Sequence, residues 1–337
     1  MNTRSLIVGA GIATGIAATV LKRRRPALDF RNKTVFIAGG SRGLGFLLAR
    51  EFLRRGANVA ITARDAEELA RAEKQLSTNG GEVLTIAADM TMREEAEAAV
   101  ARAENHSGSI DVLINNAGTI AVGPLETMTI DDYRDSLNTH FWGPYFAIMA
   151  VLPEMQKRRA GRIVNISSIG GKISVPHLLP YSVGKFALTG FSEGLRSELL
   201  KDKVYVTTVC PGLMCTGSPR NAFFKGNNEA EYAWFSISDA LPLISISANH
   251  AAKSIVDACA RGDAEVVLSV PAKLAMLVHG MFPDMTIDIL GFINQLLPPP
   301  GGIGSDVRTG TQSKSKATPS WITALNERAA QQNNQIA

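Results

Sequence analysis

The stretch "TVFIAGGSRGLG", residues 34–45, decides how the rest of the chain is read. A short apolar run suited to a buried strand breaks into glycines and then opens a helix. Gly39 permits the tight turn, Gly43 lets backbone amides approach an anion at the helix N-terminus, and Gly45 lets helix and strand pack closely. The spacing is G-x-x-x-G-x-G, with Ser41, Arg42 and Leu44 filling the loop. Placed between strand and helix, such a loop is a cradle for the pyrophosphate of a dinucleotide.

The same alternation continues outward. "TVFIA" (34–38), "NVAIT" (58–62), "EVLTIAA" (82–88), "IDVLIN" (110–115), "RIVNIS" (162–167), "YVTTV" (205–209) and "EVVLS" (265–269) are seven strand candidates. Amphipathic segments lie between them, such as "DAEELARAEKQL", where Asp65 and Glu68 form a capping-box start. Apolar strands alternating with helices predict a parallel sheet covered on both faces, a doubly wound α/β fold whose ligands sit beyond the carboxyl ends of the strands.

The chain has 337 residues, 35 basic and 31 acidic. All of the net charge of +4 lies in residues 1–30, where Arg4, Lys22, Arg23, Arg24 and Arg25 face only Asp29. The other 30 basic and 30 acidic residues balance, which argues against a nucleic-acid partner for the body. Cys210, Cys215 and Cys259 are too few and too irregularly spaced for a disulfide framework or a zinc site, so reduced thiols and no metal are expected.

Residues 5–21 carry no charge and precede the basic cluster Lys22–Arg25. That is at the short end for a spanning helix, and the cluster would hold all that follows on the cytoplasmic side. A secretory signal has the opposite order. The expectation for residues 1–31 is a single membrane anchor or a soluble leader, with the rest cytoplasmic. "GAGIATG" (9–15) within it is a decoy, because no strand-to-helix unit surrounds it.

The dinucleotide-binding domain is expected over residues 32–270. Residues 213–245 interrupt its rhythm with an aromatic insertion carrying Phe223, Phe224, Trp234 and Phe235, well placed to cover a substrate. Residues 271–298 form an apolar helical extension divided at Pro283, suited to pack on the core, on a second subunit or on a membrane surface. Residues 299–337, rich in Ser, Thr, Gly, Lys and Gln, are expected to be mostly flexible, with one weak helical stretch over 321–330.

At the end of the second strand an acid would hold the 2′-hydroxyl of NAD. This chain has Ala63 followed by Arg64, with Arg42 in the glycine loop. Two guanidiniums and no carboxylate predict a 2′-phosphate, hence NADP(H) over NAD(H). Asp65 reads as the helix cap.

In "YSVGK", residues 181–185, Tyr181 and Lys185 stand one helical turn apart on one face. A phenol near pKa 10 is a poor proton donor or acceptor at neutral pH, and an adjacent cation is expected to lower that value. A tuned phenol could exchange a proton with a ketone or alcohol oxygen as hydride moves to or from a nicotinamide. Ser168, just past the fifth strand, could hold the substrate oxygen.

These residues together resemble the short-chain dehydrogenases/reductases over roughly residues 32–270. The matching motifs, in order, are "AGGSRGLG", "DM" at Asp89 and Met90, "NNAG" at 115–118, "NISS" ending in Ser168, "YSVGK", and "PGLMCT" at 211–216. The resemblance implies a seven-stranded Rossmann-type sheet and a catalytic tetrad at Asn138, Ser168, Tyr181 and Lys185. It also implies that Lys185 bonds the nicotinamide ribose, that Asn138 holds a relay water, and that Asp89 and Met90 lie beside the adenine. Asn116, Ala117 and Gly118 would line the cofactor, and Pro211, Gly212 and Thr216 would border the nicotinamide. One departure is Ala38, where the family has a threonine bracing the loop.

The leading expectation is therefore an NADP(H)-dependent carbonyl reductase or alcohol dehydrogenase acting on an apolar, lipid-like substrate beside a membrane, with a homo-oligomer implied by the resemblance. The alternative is a non-catalytic dinucleotide-binding sensor or scaffold. Such a protein could lose Tyr181 or Lys185 without penalty, and this chain has both.

Overall fold

The computed structural model describes residues 27–240, 245–315 and 329–335. The expected anchor, the decoy motif and residues 321–328 of the weak helix lie outside the described residues. The strands in chain order are β1 (Thr34–Ala38), β2 (Asn58–Ala63), β3 (Val83–Ala87), β4 (Val112–Asn115), β5 (Ala121–Val122), β6 (Gly161–Ile166), β7 (Val204–Pro211), β8 (Leu213–Cys215), β9 (Phe223–Phe224), β10 (Ser245–Ser247), β11 (Glu265–Leu268) and β12 (Arg308–Thr309). The helices are α1 (Gly43–Arg54), α2 (Ala66–Leu76), α3 (Arg93–Ser107), α4 (Ile130–Leu137), α5 (Gly143–Arg158), α6 (Leu179–Leu199), α7 (Asn228–Ala240), α8 (Ala248–Arg261), α9 (Val270–Met281) and α10 (Pro283–Asn294).

All seven strand candidates fall into one parallel sheet of order β11-β7-β6-β4-β1-β2-β3. The apolar side chains of the five inner strands are buried on both faces and those of the edge strands β3 and β11 partly, which is why they read as continuous rather than alternating runs. On one face α1, α2 and α8 pack over Val35, Ile37, Val59 and Ile61. On the other, α3, α5 and the end of α6 pack over Phe36, Leu113, Ile163 and Val206. The chain builds outward from β1 to β3 and then returns to lay β4 on the opposite side of β1. This switch of direction opens a crevice at the carboxyl ends of β1 and β4.

Two regions lie outside the sheet and its covering helices. Helices α9 and α10 stand largely off the core: Ala272 in the first turn of α9 is buried beside Gly212, but Leu274, Leu277, Met281, Ile287 and Phe292 are all exposed, and α10 buries no residue. Residues 299–315, by contrast, do not extend away from the domain. β12 adds antiparallel to β9, and the Ile303 amide donates to the Gly226 carbonyl at 2.9 Å. A polar segment without a core of its own gains order by completing the edge of another strand.

Candidate active site

Tyr181 stands in the first turn of α6, whose start is fixed by Pro180. Ser168, just beyond β6, lies beside Tyr181: a Cβ on Gly170 would meet both the Ser168 Oγ, at 3.4 Å, and the Tyr181 ring. The Ser168 Oγ accepts the Gly170 N–H at 3.0 Å, which orients it toward the phenol. Gly170 leaves space for that approach, since a Cβ there would come within 3.1 Å of the Tyr181 ring. One turn on, the Lys185 Nζ donates to the Ile166 carbonyl at 2.8 Å and lies 5.7 Å from the centroid of the Tyr181 ring. The structure thus brings Ser168, Tyr181 and Lys185 together at the crevice.

Burial dominates the acidities here, and the direction for tyrosine is opposite to that expected from the sequence. Desolvation pushes the Tyr181 phenol up to about 12, opposed by the Ser168 hydrogen bond. The same desolvation pushes Lys185 down to about 7. A lysine that shares a dry pocket loses its own charge before it can stabilise a phenolate.

Asn138 is not part of this cluster. It begins a π-helical turn, Asn138–Trp142, and its side chain is exposed. His140, two residues on, is the polar group buried against the pair, at 1% exposure. Its ring meets that of Tyr181 edge-on, centroids 5.3 Å apart, and its Nε2–H donates to the Thr119 carbonyl at 2.9 Å. Nδ1 has no partner among the described residues. Burial and the nearby Lys185 hold the imidazole well below its ordinary value of 6.5, so it is neutral. His140 carries no motif signal of its own beside Asn138, and the π-turn shifts which residue of the helix faces inward.

The glycine loop fits a dinucleotide. A Cβ on Gly45 would stand 1.9 Å from the Gly39 carbonyl oxygen, and one on Gly39, at φ +78°, would stand 2.7 Å from the Ala117 backbone. Asn116 ties the two banks together, its Nδ2 donating to the Gly39 carbonyl at 2.7 Å. Gly118 is pressed by the His140 ring, 2.9 Å from where a Cβ would be. The N-terminus of α1 has no side-chain cap and no acid in its first turn, which leaves its dipole open to an anion.

On the adenosine side the charges are not free. Glu68 does not close a capping box, because Asp65 alone caps α2, accepting from Glu67 and Glu68 amides. The Glu68 carboxylate instead accepts from the Ser41 hydroxyl and, at 3.0 Å, from the Arg42 guanidinium. Arg64 is 70% exposed and lies 4.0 Å from Asp89, whose carboxylate also accepts from Thr91. Met90 is buried beside Gly143. Pro211 ends β7, the Gly212 amide just after it donates to the Leu268 carbonyl at 3.2 Å, and Thr216 is buried just past β8.

The aromatic insertion lies over Tyr181. Phe224, Tyr232 and Phe235 form a cluster with Val122, Leu178 and Ala222, against which Trp234 and Tyr181 pack. A buried pair fastens this cover: the His177 Nδ1 is 2.8 Å from Glu231, which also accepts the Trp234 Nε1–H at 2.6 Å.

Comparison with known proteins agrees with this geometry. Residues 33–224 match the family model described as short chain dehydrogenase. A dehydrogenase/reductase SDR family protein 7-like of Anopheles gambiae is 35% identical, over 76% of this chain and 81% of that one. The putative oxidoreductase SadH of Mycobacterium tuberculosis is 34% identical, over 73% of this chain and 89% of its own length. Among solved structures, L-sorbose reductase of Gluconobacter frateurii, complexed with NADPH and L-sorbose, shares the fold with a TM-score of 0.64 at 23% identity, covering 72% of this chain and 97% of that one. With its switch-point crevice, glycine cradle and serine–tyrosine–lysine cluster, the chain belongs to the short-chain dehydrogenase family of oxidoreductases.

Proposed function

We propose that this protein is an NADP(H)-dependent carbonyl reductase for apolar ketones or aldehydes, with Tyr181 moving the proton. The convergence of Ser168, Tyr181 and Lys185 at the crevice beside the glycine cradle carries this reading. A bound nicotinamide dinucleotide would supply the hydride.

Ser168 orients the substrate oxygen. A phenol titrating at about 12 stays protonated at neutral pH, yet it is far more acidic than an alcohol, so it gives its proton to an oxygen developing alkoxide charge. The reverse reaction would begin from the phenolate, the form that burial disfavours. Lys185, titrating near 7, is able to return a proton to the pocket in each cycle.

The preference for NADP(H) is supported by Arg42 and Arg64, although a 2′-phosphate must share them with Glu68 and Asp89. The apolar substrate class is supported by the aromatic cluster around Tyr181. Exposed Trp142, Val183 and Phe186 on the α5 and α6 side offer a face to a second copy. Attachment to the cytoplasmic face of a membrane is supported by the uncharged residues 5–21 ahead of Lys22–Arg25 and by the exposed apolar surface of α9 and α10. Among the described residues no helix is long and apolar enough to cross a bilayer.

The test is a panel of apolar ketones and aldehydes with NADPH and NADH, with Tyr181→Phe as control. Turnover by the wild type that falls about 10²-fold or more in Tyr181→Phe is expected. Equal turnover in both proteins, or none from folded wild type, would remove the reading.

A further inference from the structure

We propose that residues 329–335 complete the dinucleotide site, with Asn333 and Asn334 as positioning residues that strap the groove shut; this rests on the reading of the glycine loop as a cofactor cradle. The segment runs from one bank of the crevice to the other. On the side of the loop after β8, Ala330 is packed on Gly217, where a Cβ would stand 2.6 Å away. The Asn333 Nδ2 donates to the Thr216 carbonyl at 3.2 Å, and the Gln335 Oε1 accepts from Asn221 at 2.6 Å. On the glycine-loop side, the Gly43 amide donates to the Asn333 carbonyl at 2.8 Å. The Asn334 Nδ2 donates to the Ser41 carbonyl at 2.8 Å and to the Glu68 carbonyl at 3.3 Å, and its Oδ1 accepts from Gln75 at 3.3 Å.

These are not surface contacts. Asn333 and Asn334 are each 3% exposed, and Asn334 adopts φ +54°, a left-handed conformation that asparagine tolerates better than most residues. One asparagine thus fixes Thr216 and Gly43, and the next fixes Ser41 and α2, so the two banks cannot separate while the strap is in place.

Two observations make the segment a cover rather than a plug. It takes only the first amide of α1, that of Gly43. The Leu44 and Gly45 amides, also in the first turn, have no acceptor among the described residues and remain for a phosphate. The segment reads "AAQQNNQ" and carries no charge, so it places amide donors near the site and no carboxylate to repel phosphate.

The experiment compares the full chain, a chain ending at residue 328, and full-length Asn334→Leu, which removes the amide at nearly constant size. Each is loaded with NADPH, and release is followed by nicotinamide fluorescence after chasing with excess NADP. Hydrogen exchange of the Gly43 amide is measured on the ligand-free proteins. Release at least fivefold faster in both variants, weaker binding in proportion, and faster exchange at Gly43 are expected. Release changed by less than fivefold, or tighter binding on truncation, overturns the proposal. If the full chain binds neither NADPH nor NADH, the cradle reading fails and takes the proposal with it. That result is distinct from failure of the strap alone, in which all three proteins bind alike.

Discussion

Lys185 lies 5.7 Å from the centroid of the Tyr181 ring, but its hydrogen bond goes to the Ile166 carbonyl at the end of β6, at 2.8 Å. The lysine therefore ties the start of α6 to the sheet and supports the phenol from the side. Both groups share one desolvated pocket, and that pocket sets their acidities more than they set each other's.

A pH signature in stability follows from that burial. Lys185 titrates near 7 in the folded chain and near 10.5 when exposed, so between those values the unfolded chain holds a proton that the folded one has released. Stability therefore rises with pH across that window. Tyr181 has the opposite sign, raised from 10.0 to about 12, and its effect is a loss of stability above pH 10. Urea midpoints between pH 7 and 9.5 should climb in the wild type and flatten in Lys185→Met; parallel slopes in the two proteins would refute this.

Gly45→Ala should abolish dinucleotide binding. Its Cβ would sit 1.9 Å from the Gly39 oxygen and 2.6 Å from the Asn116 Nδ2, so strand and helix must move apart, at a cost of about 1–3 kcal/mol. Gly190→Ala in α6 is the control: nothing lies within 4 Å of its Cβ, and a gain of about 0.5–1 kcal/mol is expected. Cofactor fluorescence and urea melts measure both, and retention of binding by Gly45→Ala would contradict the packing described.

His140 offers a separate test of the cluster. His140→Phe keeps the edge contact with Tyr181 but deletes both ring nitrogens and leaves the Thr119 carbonyl unpaired. A fall in kcat of about tenfold is expected, about one buried hydrogen bond's worth, with the KM for cofactor held within about twofold. An unchanged kcat and pH profile would mean that the imidazole only fills space.

Glu68 restrains Arg42, so Glu68→Gln should free that guanidinium for a 2′-phosphate. The ratio of kcat/KM for NADPH over NADH is expected to rise about fivefold or more, and to fall in Arg42→Ala. A ratio that does not change in either variant would move the source of cofactor preference elsewhere.

The exposed face of α9 and α10 should hold the protein to lipid. Replacing Leu274, Leu277, Met281 and Phe292 together by Ser removes four exposed apolar side chains without touching the core. With residues 1–26 removed from both proteins, so that the uncharged segment 5–21 does not mask the effect, flotation with liposomes is expected to drop at least fivefold against the chain that keeps the four side chains. Equal flotation with a change in oligomeric state would assign the face to a second copy.

Much of this molecule could be read from local pattern. All seven strands, the glycine cradle and the Asp65 cap depend on residues within a few positions of one another, and periodicity records such relations directly. The spacing of Tyr181 and Lys185 likewise follows from helical geometry alone. What tertiary structure decided involves burial and distant neighbours. Whether Asn138 or His140 faces the phenol depends on a π-turn; whether Glu68 caps a helix or holds Arg42 depends on a loop 26 residues away. The tail looked too polar to order, yet Asn334 bonds the Ser41 carbonyl across 293 positions. Composition counts what a segment can bury by itself and is blind to a groove that another part of the chain provides. The acidity of Tyr181 reversed for the same reason: the sequence supplied the neighbouring charge, and only the fold removed the water.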